Sequence, residues 1–279
     1  LKIKEEEIPL ILLNARITKK SFLRWKTVKT FSNKIFGSFS LCISSSKDTS
    51  NYLNILGAKN IKFFGNIKFC SAVENKTKET EQFKSITNKK AWCAVSTHAN
   101  EEDLCGKVHS IIKKSAGDVL TIIIPRHIHR VETIYSNLRD LGFKVQVKKE
   151  KDPINSSSDV VLVNYYGAVS KYLKYFKQIF IGKSMLKKFE NSGGQNPIDA
   201  AKMGCYIYHG PYVYNFREIY QFLDESKLSE EVRSPEVLAD KLIKNFDIDL
   251  KTDNEKIKKL DIYSNKIFNN VINEYNTFI

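Results

Sequence analysis

Short apolar runs alternate with helix-like segments along most of this sequence, and this alternation limits the folds open to the chain. Residues 91–95, 120–124, 160–163 and 179–181 are apolar runs of strand length, and the segments that follow the first two have helical spacing. Strands that alternate with helices form parallel sheets covered by helices. We therefore predict an α/β chain with parallel, Rossmann-like sheets.

The first 64 residues show the same alternation in the order β-α-β-α-β. We predict a buried strand at 8–13, one helix from about 20 to 36 with Phe22, Trp25, Val28 and Phe31 inward, short strands at 41–43 and 61–64, and a helix capped by Ser46. Further along, we predict strands near 145 and at 206–208, and helices at 101–114, 129–141, 197 onward, 215–223, 234–246 and 254–278.

A change of composition divides the chain into two lobes. Residues 71–90 are rich in Glu, Lys, Thr and Asn and poor in apolar side chains, which is typical of a linker. We predict that residues 1–70 form the C-terminal part of an N-terminal lobe and that residues 91–233 form a second lobe. Residues 234–279 then form helices that pack back on the lobes.

Charge and cysteine content narrow the class of protein further. The 279 residues carry a net charge of +14, yet residues 221–279 hold nine Lys/Arg and twelve Asp/Glu, so the first 220 residues carry +17. Such a field favours an anionic partner, although lysines are also ordinary solvated surface residues. The five cysteines are scattered and never form C-x-x-C, which predicts reduced thiols and neither a disulfide framework nor a zinc site. No apolar run is long enough to span a membrane.

The stretch from Phe189 to Ala201 is the strongest candidate for a ligand loop. Gly193 and Gly194 favour a tight turn, Asn196 is a good N-cap, and Pro197 suits the first helical position. A helix start with free N–H groups can hold a phosphate, whereas an ordinary strand-to-helix turn is the alternative.

Other polar residues follow the predicted strands, and in open α/β sheets ligands bind beyond the carboxyl ends of strands. Ser96, Thr97 and His98 follow one strand, and the acidic pair after them is expected to cap a helix. Arg126 and His127 follow the next strand, where an arginine suits a phosphate or carboxylate, or forms a surface salt bridge.

Six motifs in this order resemble the bacterial 3-deoxy-D-manno-octulosonic acid (Kdo) transferase family. They are Gly65-Asn66-Ile67-Lys68-Phe69, Ser96-Thr97-His98-Ala99-Asn100-Glu101-Glu102, Pro125-Arg126-His127, Asn164-Tyr165-Tyr166-Gly167, Gly193-Gly194-Gln195-Asn196-Pro197, and Gly210-Pro211 with Asn215-Phe216. The residues Asn14-Ala15-Arg16, Ser21 and Trp25 extend the resemblance, which covers residues from about 8 to 224.

This resemblance implies a fold and an activity. The family has the two-lobed GT-B glycosyltransferase fold, and its members transfer Kdo from CMP-Kdo to the lipid A precursor, lipid IV-A. That reaction belongs to lipopolysaccharide core synthesis in Gram-negative bacteria, at the cytoplasmic face of the inner membrane. We therefore expect a glycosyltransferase with CMP-Kdo as donor, no metal or other cofactor, a phosphorylated glycolipid acceptor, contact with a membrane surface, and no nucleic-acid partner.

The resemblance also assigns site residues. The donor-binding residues are expected to be Lys68, Ser96, His98, Arg126, His127, Ser184, Gly193, Gly194, Gln195, Asn196, Asp199 and Asn215, and Arg16 is expected on the acceptor side. The family's membrane anchor and its catalytic base, in a Gly-Glu motif, are expected upstream of Leu1.

The sequence departs from the family at Lys183, at Asp199, and at Ala168, where the family often has an acidic residue. Lys183 stands where the family usually has glycine, and it either adds a phosphate contact or crowds the nucleotide. Asp199 replaces a glutamate and can still accept hydrogen bonds from a ribose.

Other functions stay open at this level. The chain could be another GT-B transferase or epimerase with a different nucleotide sugar, or an inactive lobe that binds only nucleotide or lipid. Nucleic-acid binding ranks third because the sequence has no recognised nucleic-acid motif. A dehydrogenase is disfavoured because no G-x-G-x-x-G follows a strand.

Overall fold

The computed structural model describes residues 3, 6–71, 83, 86, 89–246 and 254–278. The chain divides into two compact units. Unit 1 comprises Leu1–Ala72 and Lys259–Ile279, and unit 2 comprises Val73–Lys258. The predicted linker at 71–90 lies mostly outside the described residues, and the predicted domain bounds stay predictions.

Unit 1 contains a parallel sheet of three strands in the order β1-β2-β3 within its described residues. Its elements are β1 (Ile11–Ala15), α1 (Lys19–Thr27), α2 (Lys29–Phe36), β2 (Leu41–Ser44), α3 (Lys47–Ile55) and β3 (Ile61–Lys62), followed by a 3-10 turn at Ile67–Cys70. The core beneath the sheet consists of Ala15, Phe22, Phe36, Cys42, Leu53, Leu56 and Ala58. Ser46 caps α3 as predicted, because its Oγ accepts a hydrogen bond from the Thr49 N–H at 3.1 Å.

The prediction of one helix over residues 20–36 is wrong. The helix breaks at Val28, whose φ of −114° and ψ of 52° are not helical. Thr27 turns its hydroxyl back onto the Arg24 carbonyl at 2.7 Å, and β-branched residues such as Thr27 and Val28 are weak helix formers. Val28 and Phe31 are 47% and 55% exposed, so their predicted inward placement is also wrong.

The described residues of unit 2 form a seven-stranded parallel sheet in the order β10-β9-β8-β4-β5-β7-β6. The strands are β4 (Ala91–Thr97), β5 (Leu120–Pro125), β6 (Val145–Lys148), β7 (Val160–Val163), β8 (Gln178–Ile181), β9 (Tyr206–His209) and β10 (Ser229–Glu231). The chain passes from β4 to β5 on one side and later returns to β8 on the other side of β4. The strand order therefore reverses between β4 and β8.

Helices cover this sheet and bury its apolar residues. They are α4 (Glu101–Ala116), α5 (Val131–Asp140), α6 (Ala168–Tyr172), α7 (Ile198–Lys202), α8 (Arg217–Glu225) and α9 (Pro235–Phe246). Trp92, Val108, Ile112, Leu238 and Leu242 lie in one core cluster, which joins α4 and α9 to the sheet. The strands at 91, 120, 160, 178 and 206 confirm the alternation read from the sequence, whereas α6 and β10 were not predicted.

The last helix, α10 (Asn254–Tyr275), packs in unit 1. The Ser264 hydroxyl donates to the Phe69 carbonyl at 2.7 Å, and the rings of Phe69 and Tyr263 lie 5.0 Å apart. Leu260 and Ile267 are buried. Within the part of the chain that the structure describes, no helix is long and apolar enough to cross a membrane.

The cysteines behave as the sequence predicts. All five are free thiols, and all except Cys70 are buried. Burial raises the pKa of the Cys42 thiol to about 11 and that of the Cys205 thiol to about 12. Thiols held in this state are poor nucleophiles and metal ligands, so they act as core residues.

Candidate functional site

The reversal of strand order in unit 2 creates a crevice between the ends of β4 and β8, where ligands bind in open α/β sheets. The loops after these strands touch closely, because a β-carbon at Gly182 would lie 2.6 Å from the Thr97 Cα. Ser96 and Lys183, one in each loop, have φ of +55° and +59°. Non-glycine residues with such φ are uncommon and cluster at functional sites.

Glu101 joins the two loops. It is fully buried at the first position of α4, and its Oε2 accepts from the His98 N–H at 3.0 Å and from the Lys183 N–H at 2.6 Å. Its Oε1 accepts from the N–H groups of Ser184 at 2.9 Å and Met185 at 3.2 Å. Burial raises the pKa of this carboxyl and the four N–H donors oppose that rise. Four converging donors suit the ionised carboxylate, which only accepts hydrogen bonds.

Glu102 makes a second buried connection from the same helix. Its two oxygens accept from the two terminal nitrogens of Arg130, both at 3.0 Å, and its Oε1 also accepts from the Thr97 hydroxyl at 2.9 Å. Glu102 is 2% exposed, so this bidentate ion pair is buried. Together with the Thr97 bond, it connects the start of α5 to the end of β4. The predicted capping role of the acidic pair is not observed: the N-cap residue of α4 is Asn100, and the His98 N–H that Glu101 accepts from lies before the helix.

The imidazole of His98 is neutral, and the side chains of Lys183, His127 and Arg130 lie near it. Its Nδ1 faces the Ser96 carbonyl at 3.1 Å, so Nδ1 carries the proton and Nε2 keeps a free lone pair. The pKa of His98 is lowered to about 4, chiefly by burial; the Ser96 hydrogen bond opposes this shift, and the charges of Lys183, His127 and Arg130 add to it. The rings of His98 and His127 lie 5.5 Å apart.

Arg126 projects from the adjacent strand end. Its backbone N–H donates to the Thr97 carbonyl at 3.0 Å, which fixes the residue beside the β4 loop. Its side chain is exposed, and its guanidinium forms no ion pair with any residue the structure describes. His127 is also exposed and lies 5.5 Å from the His129 ring. Arg126 is therefore available to an anionic ligand.

Ser184 is fully buried, and its hydroxyl binds backbone groups. The hydroxyl donates to the Ile181 carbonyl at 2.6 Å and accepts from the Gly210 N–H at 2.9 Å. The Ser184 carbonyl accepts from the Tyr212 N–H at 2.9 Å. These contacts join the β8 and β9 loops, and a direct donor contact by Ser184 stays a prediction.

The Gly193-Gly194 turn packs tightly against the β8 loop. The Gly193 N–H donates to the Phe189 carbonyl at 2.6 Å, and the Gly194 N–H donates to the Lys183 carbonyl at 2.7 Å. A β-carbon on Gly193 would lie 2.0 Å from the Tyr212 carbonyl oxygen, so only glycine fits. Both N–H groups bind within the protein, and a phosphate contact by this turn stays a prediction.

The helix after this turn begins one residue later than predicted. α7 starts at Ile198, Pro197 occupies the N-cap position, and the Asn196 side chain accepts from the Ile198 N–H at 3.3 Å. Asn196 thus caps the helix, but from the position before the expected one. Asp199 is exposed in the first turn.

Asn215 and Gln195 make further hydrogen bonds at the Gly193-Gly194 turn and the residues next to it. The Asn215 side-chain amide donates to the Ser192 carbonyl at 2.6 Å, and its backbone N–H donates to the Gly193 carbonyl at 2.9 Å. The Gln195 carbonyl accepts from the Tyr220 hydroxyl at 3.0 Å. Asn215 therefore holds this loop in place, and its contact with the donor stays a prediction.

In unit 1, Arg16 and Lys68 lie near each other. Arg16 follows β1, Lys68 lies in the 3-10 turn after β3, and both side chains are exposed. Partial burial lowers the pKa of Lys68, and the charge of Arg16 lowers it further. The Asn14 side chain accepts from the Ile67 N–H at 3.2 Å and so ties the two segments together. Arg16, predicted on the acceptor side, and Lys68, predicted to bind the donor, therefore lie in two neighbouring segments of unit 1.

No group of three or more His, Cys, Asp or Glu side chains in the described ranges could hold a metal ion. The residues that sequence reasoning missed are Glu101, Glu102 and Arg130, which were not expected to join loops. Two acids at a helix start directly after a strand were the available signal, because only one is needed as a cap.

Comparison with known protein families agrees with these motifs. The family model for 3-deoxy-D-manno-octulosonic-acid transferase (kdotransferase) matches residues 1–71. The 3-deoxy-D-manno-octulosonic acid transferase of Rickettsia bellii is 29% identical over 235 residues, which are 84% of this chain and 55% of that protein. The Aquifex aeolicus enzyme of the same name is 27% identical over 236 residues, covering 85% of this chain and 60% of that protein. The chain thus spans little more than half the length of these relatives.

Solved structures agree on the fold. The C-terminal CMP-Kdo binding domain of WaaA from Acinetobacter baumannii matches with a TM-score of 0.53 and 18% identity, over 67% of this chain and 92% of that one. Anabaena Alr3699/HepE in complex with UDP and glucose matches with a TM-score of 0.61 and 12% identity, over 99% of this chain and 73% of that one. The fold is that of GT-B glycosyltransferases, as predicted. With the family model and the relatives above, the chain is similar to 3-deoxy-D-manno-octulosonic acid transferases over most of its length, in agreement with the resemblance read from the motifs.

Proposed function

We propose that this chain takes part in transferring Kdo from CMP-Kdo to the lipid A precursor, lipid IV-A, in lipopolysaccharide core synthesis. The observation that carries the proposal is the placement of Arg126, Lys183 and His98 around the switch point of unit 2, where a nucleotide sugar binds in this type of sheet. The likeness of the chain to a CMP-Kdo binding domain supports the choice of donor.

The proposed reaction requires positive charge near the phosphate of the donor. When the bond from Kdo to CMP breaks, the departing phosphate gains negative charge while the sugar becomes oxocarbenium-like. Cations near that phosphate stabilise the transition state more than the ground state. Arg126 forms no ion pair with a described residue, so we assign this role to its guanidinium first.

The remaining roles follow the same proposal. The Gly193-Gly194 turn shapes the floor of the donor site, and Asp199 and Asn215 hold ribose or the loop. Arg16 is assigned to the acceptor, and Lys68 is assigned to a phosphate of the donor or of the acceptor. No metal or other cofactor is proposed, because these cations can supply the charge that a metal would bring.

We further propose that unit 1 meets a membrane surface that carries the glycolipid acceptor, at the cytoplasmic face of the bacterial inner membrane. The segment from Thr18 to Phe36 contains six Lys/Arg and no Asp/Glu. Leu23 and Phe31 on its two helices, and Val28 at the break between them, are 52%, 55% and 47% exposed. Apolar side chains flanked by lysines are suited to anionic lipid surfaces.

Two measurements test this function. Isothermal titration of the purified chain should show binding of CMP in clear preference to UMP, and equal binding of both would contradict the donor assignment. Sedimentation with vesicles containing phosphatidylglycerol should carry the chain down, and Phe31→Ser should reduce that fraction. A chain that stays in the supernatant at low salt would contradict the membrane contact.

A further inference from the structure

Lys183 occupies a backbone conformation that glycine would adopt more easily. Its φ is +59°, in the left-handed region. For a residue with a β-carbon this conformation costs about 1 kcal/mol relative to the ordinary helical region. A strained residue of this kind persists where its surroundings enforce it, and such residues cluster at functional sites.

The loop holds this conformation from both sides of the residue. The Lys183 N–H donates to the Glu101 carboxylate at 2.6 Å, and its carbonyl accepts from the Gly194 N–H at 2.7 Å. Both bonds involve only the backbone of Lys183, so a glycine at this position could make them as well. The side chain therefore adds strain without adding to these two loop contacts.

The side chain of Lys183 adds a cation at the crevice, close enough for its charge to act on His98. Lys183 is half-buried at the switch point, and its ammonium forms no ion pair with a described residue. Its charge acts on His98, as do those of His127 and Arg130. Arg130 is neutralised by its ion pair with Glu102, whereas Lys183 has no such pair with a described residue, so an anion bound in the crevice would be attracted to the ammonium of Lys183.

We infer that Lys183 is an affinity-determining contact for the phosphate of the cytidine nucleotide donor, and that the chain retains the strained backbone at this position for that charge. The inference rests on the proposed function, because the same crevice must bind the donor. It decides between the two readings of Lys183, in favour of a phosphate contact.

A pair of matched glycine variants separates strain from charge. Lys227 also has a left-handed φ of +55°, but it lies just after α8, outside the loops of the crevice. Lys183→Gly and Lys227→Gly both release backbone strain, so each should raise the thermal midpoint of the chain. Lys183→Gln keeps the strain and removes only the charge.

Isothermal titration with CMP at low and moderate salt gives the second readout. We expect Lys183→Gly and Lys183→Gln each to weaken CMP binding about tenfold and to make it less salt-dependent. Lys227→Gly should bind CMP as the wild type does. Lys183→Gly should therefore raise the thermal midpoint and weaken CMP binding at the same time, and this combination indicates a functional charge.

Two results would overturn the inference in distinguishable ways. If the wild type binds CMP and both Lys183 variants bind it within about twofold of the wild type, Lys183 is no contact, while the proposed function stands. If the folded wild type binds no CMP at all, the donor site itself is absent, and the inference fails with it.

Discussion

The backbone N–H of Lys183 donates to the carboxylate of Glu101 at 2.6 Å, across 82 positions of sequence. The same carboxylate receives the N–H of His98, so one buried side chain sets the distance between the β4 and β8 loops. These loops flank the crevice in which we place the donor. The geometry of the site therefore depends on a residue that is itself inaccessible to a ligand.

Replacing this carboxylate by its amide should destabilise unit 2. In Glu101→Gln the new NH₂ faces N–H donors on one side, and the buried bonds lose their negative acceptor. We expect a loss of about 2–4 kcal/mol in the free energy of unfolding, measured by urea denaturation. Asp103→Asn, on the same first turn of α4 but only partly buried, is the matched control and should change stability by less than about 0.5 kcal/mol. An equally small effect for Glu101→Gln would contradict the anchoring role.

Close packing at Gly193 predicts a second large effect. In Gly193→Ala the β-carbon would lie 2.0 Å from the Tyr212 carbonyl oxygen, and the backbone must move to admit it. We expect a loss of more than about 3 kcal/mol in unfolding free energy. Gly142→Ala is the control, because Gly142 has a φ of +87° but open space around its Cα. That variant should lose only about 1 kcal/mol, and a smaller loss at Gly193 than at Gly142 would refute the packing argument.

The parallel α/β architecture was predictable because it depends on local patterns. The β5 strand is apolar along nearly its whole length, as strands buried on both faces are, and Gly142 ends the helix before β6. Such signals act within a few residues, so neither required knowledge of the rest of the fold. The break at Val28 was not predicted, because the apolar residues between 20 and 36 fit the spacing of one continuous helix almost as well as that of two helices.

Only part of the candidate site could be predicted in the same way. Arg126 and His98 were found because each directly follows an apolar strand, and strand ends meet at one edge of a sheet. The role of Glu101 could not be found, since its partners lie in a loop 82 to 84 positions away. Sequence reasoning also assigned Ser184 to the donor, whereas its hydroxyl binds the backbone groups of Ile181 and Gly210. Hydrogen bonds of that kind have no periodicity to detect.

The half-buried imidazole of His98 predicts a pH dependence of stability. Its pKa is lowered from 6.5 to about 4 in the folded chain, chiefly by burial. Between these values the unfolded state binds a proton that the folded state does not, so stability falls as the pH is lowered from about 6.5 toward 4.

Urea denaturation at pH 7 and pH 5 measures this contribution. After allowance for solvent screening of the half-buried ring, we expect His98 to account for about 1–2 kcal/mol of the loss. His98→Asn cannot titrate and should lose that much less stability than the wild type over the same interval. Parallel pH profiles for the two proteins would show that His98 is not held neutral.

The most direct test of the account is the binding of CMP to Arg126→Ala by isothermal titration. Arg126 is the exposed cation at the end of β5, and we assign it the donor phosphate. Arg139→Ala removes an equally exposed arginine from α5 and controls for the loss of one charge. We predict that Arg126→Ala weakens CMP binding at least about tenfold and that Arg139→Ala leaves it unchanged. Equal CMP affinity in the two variants would contradict a donor site at this sheet edge.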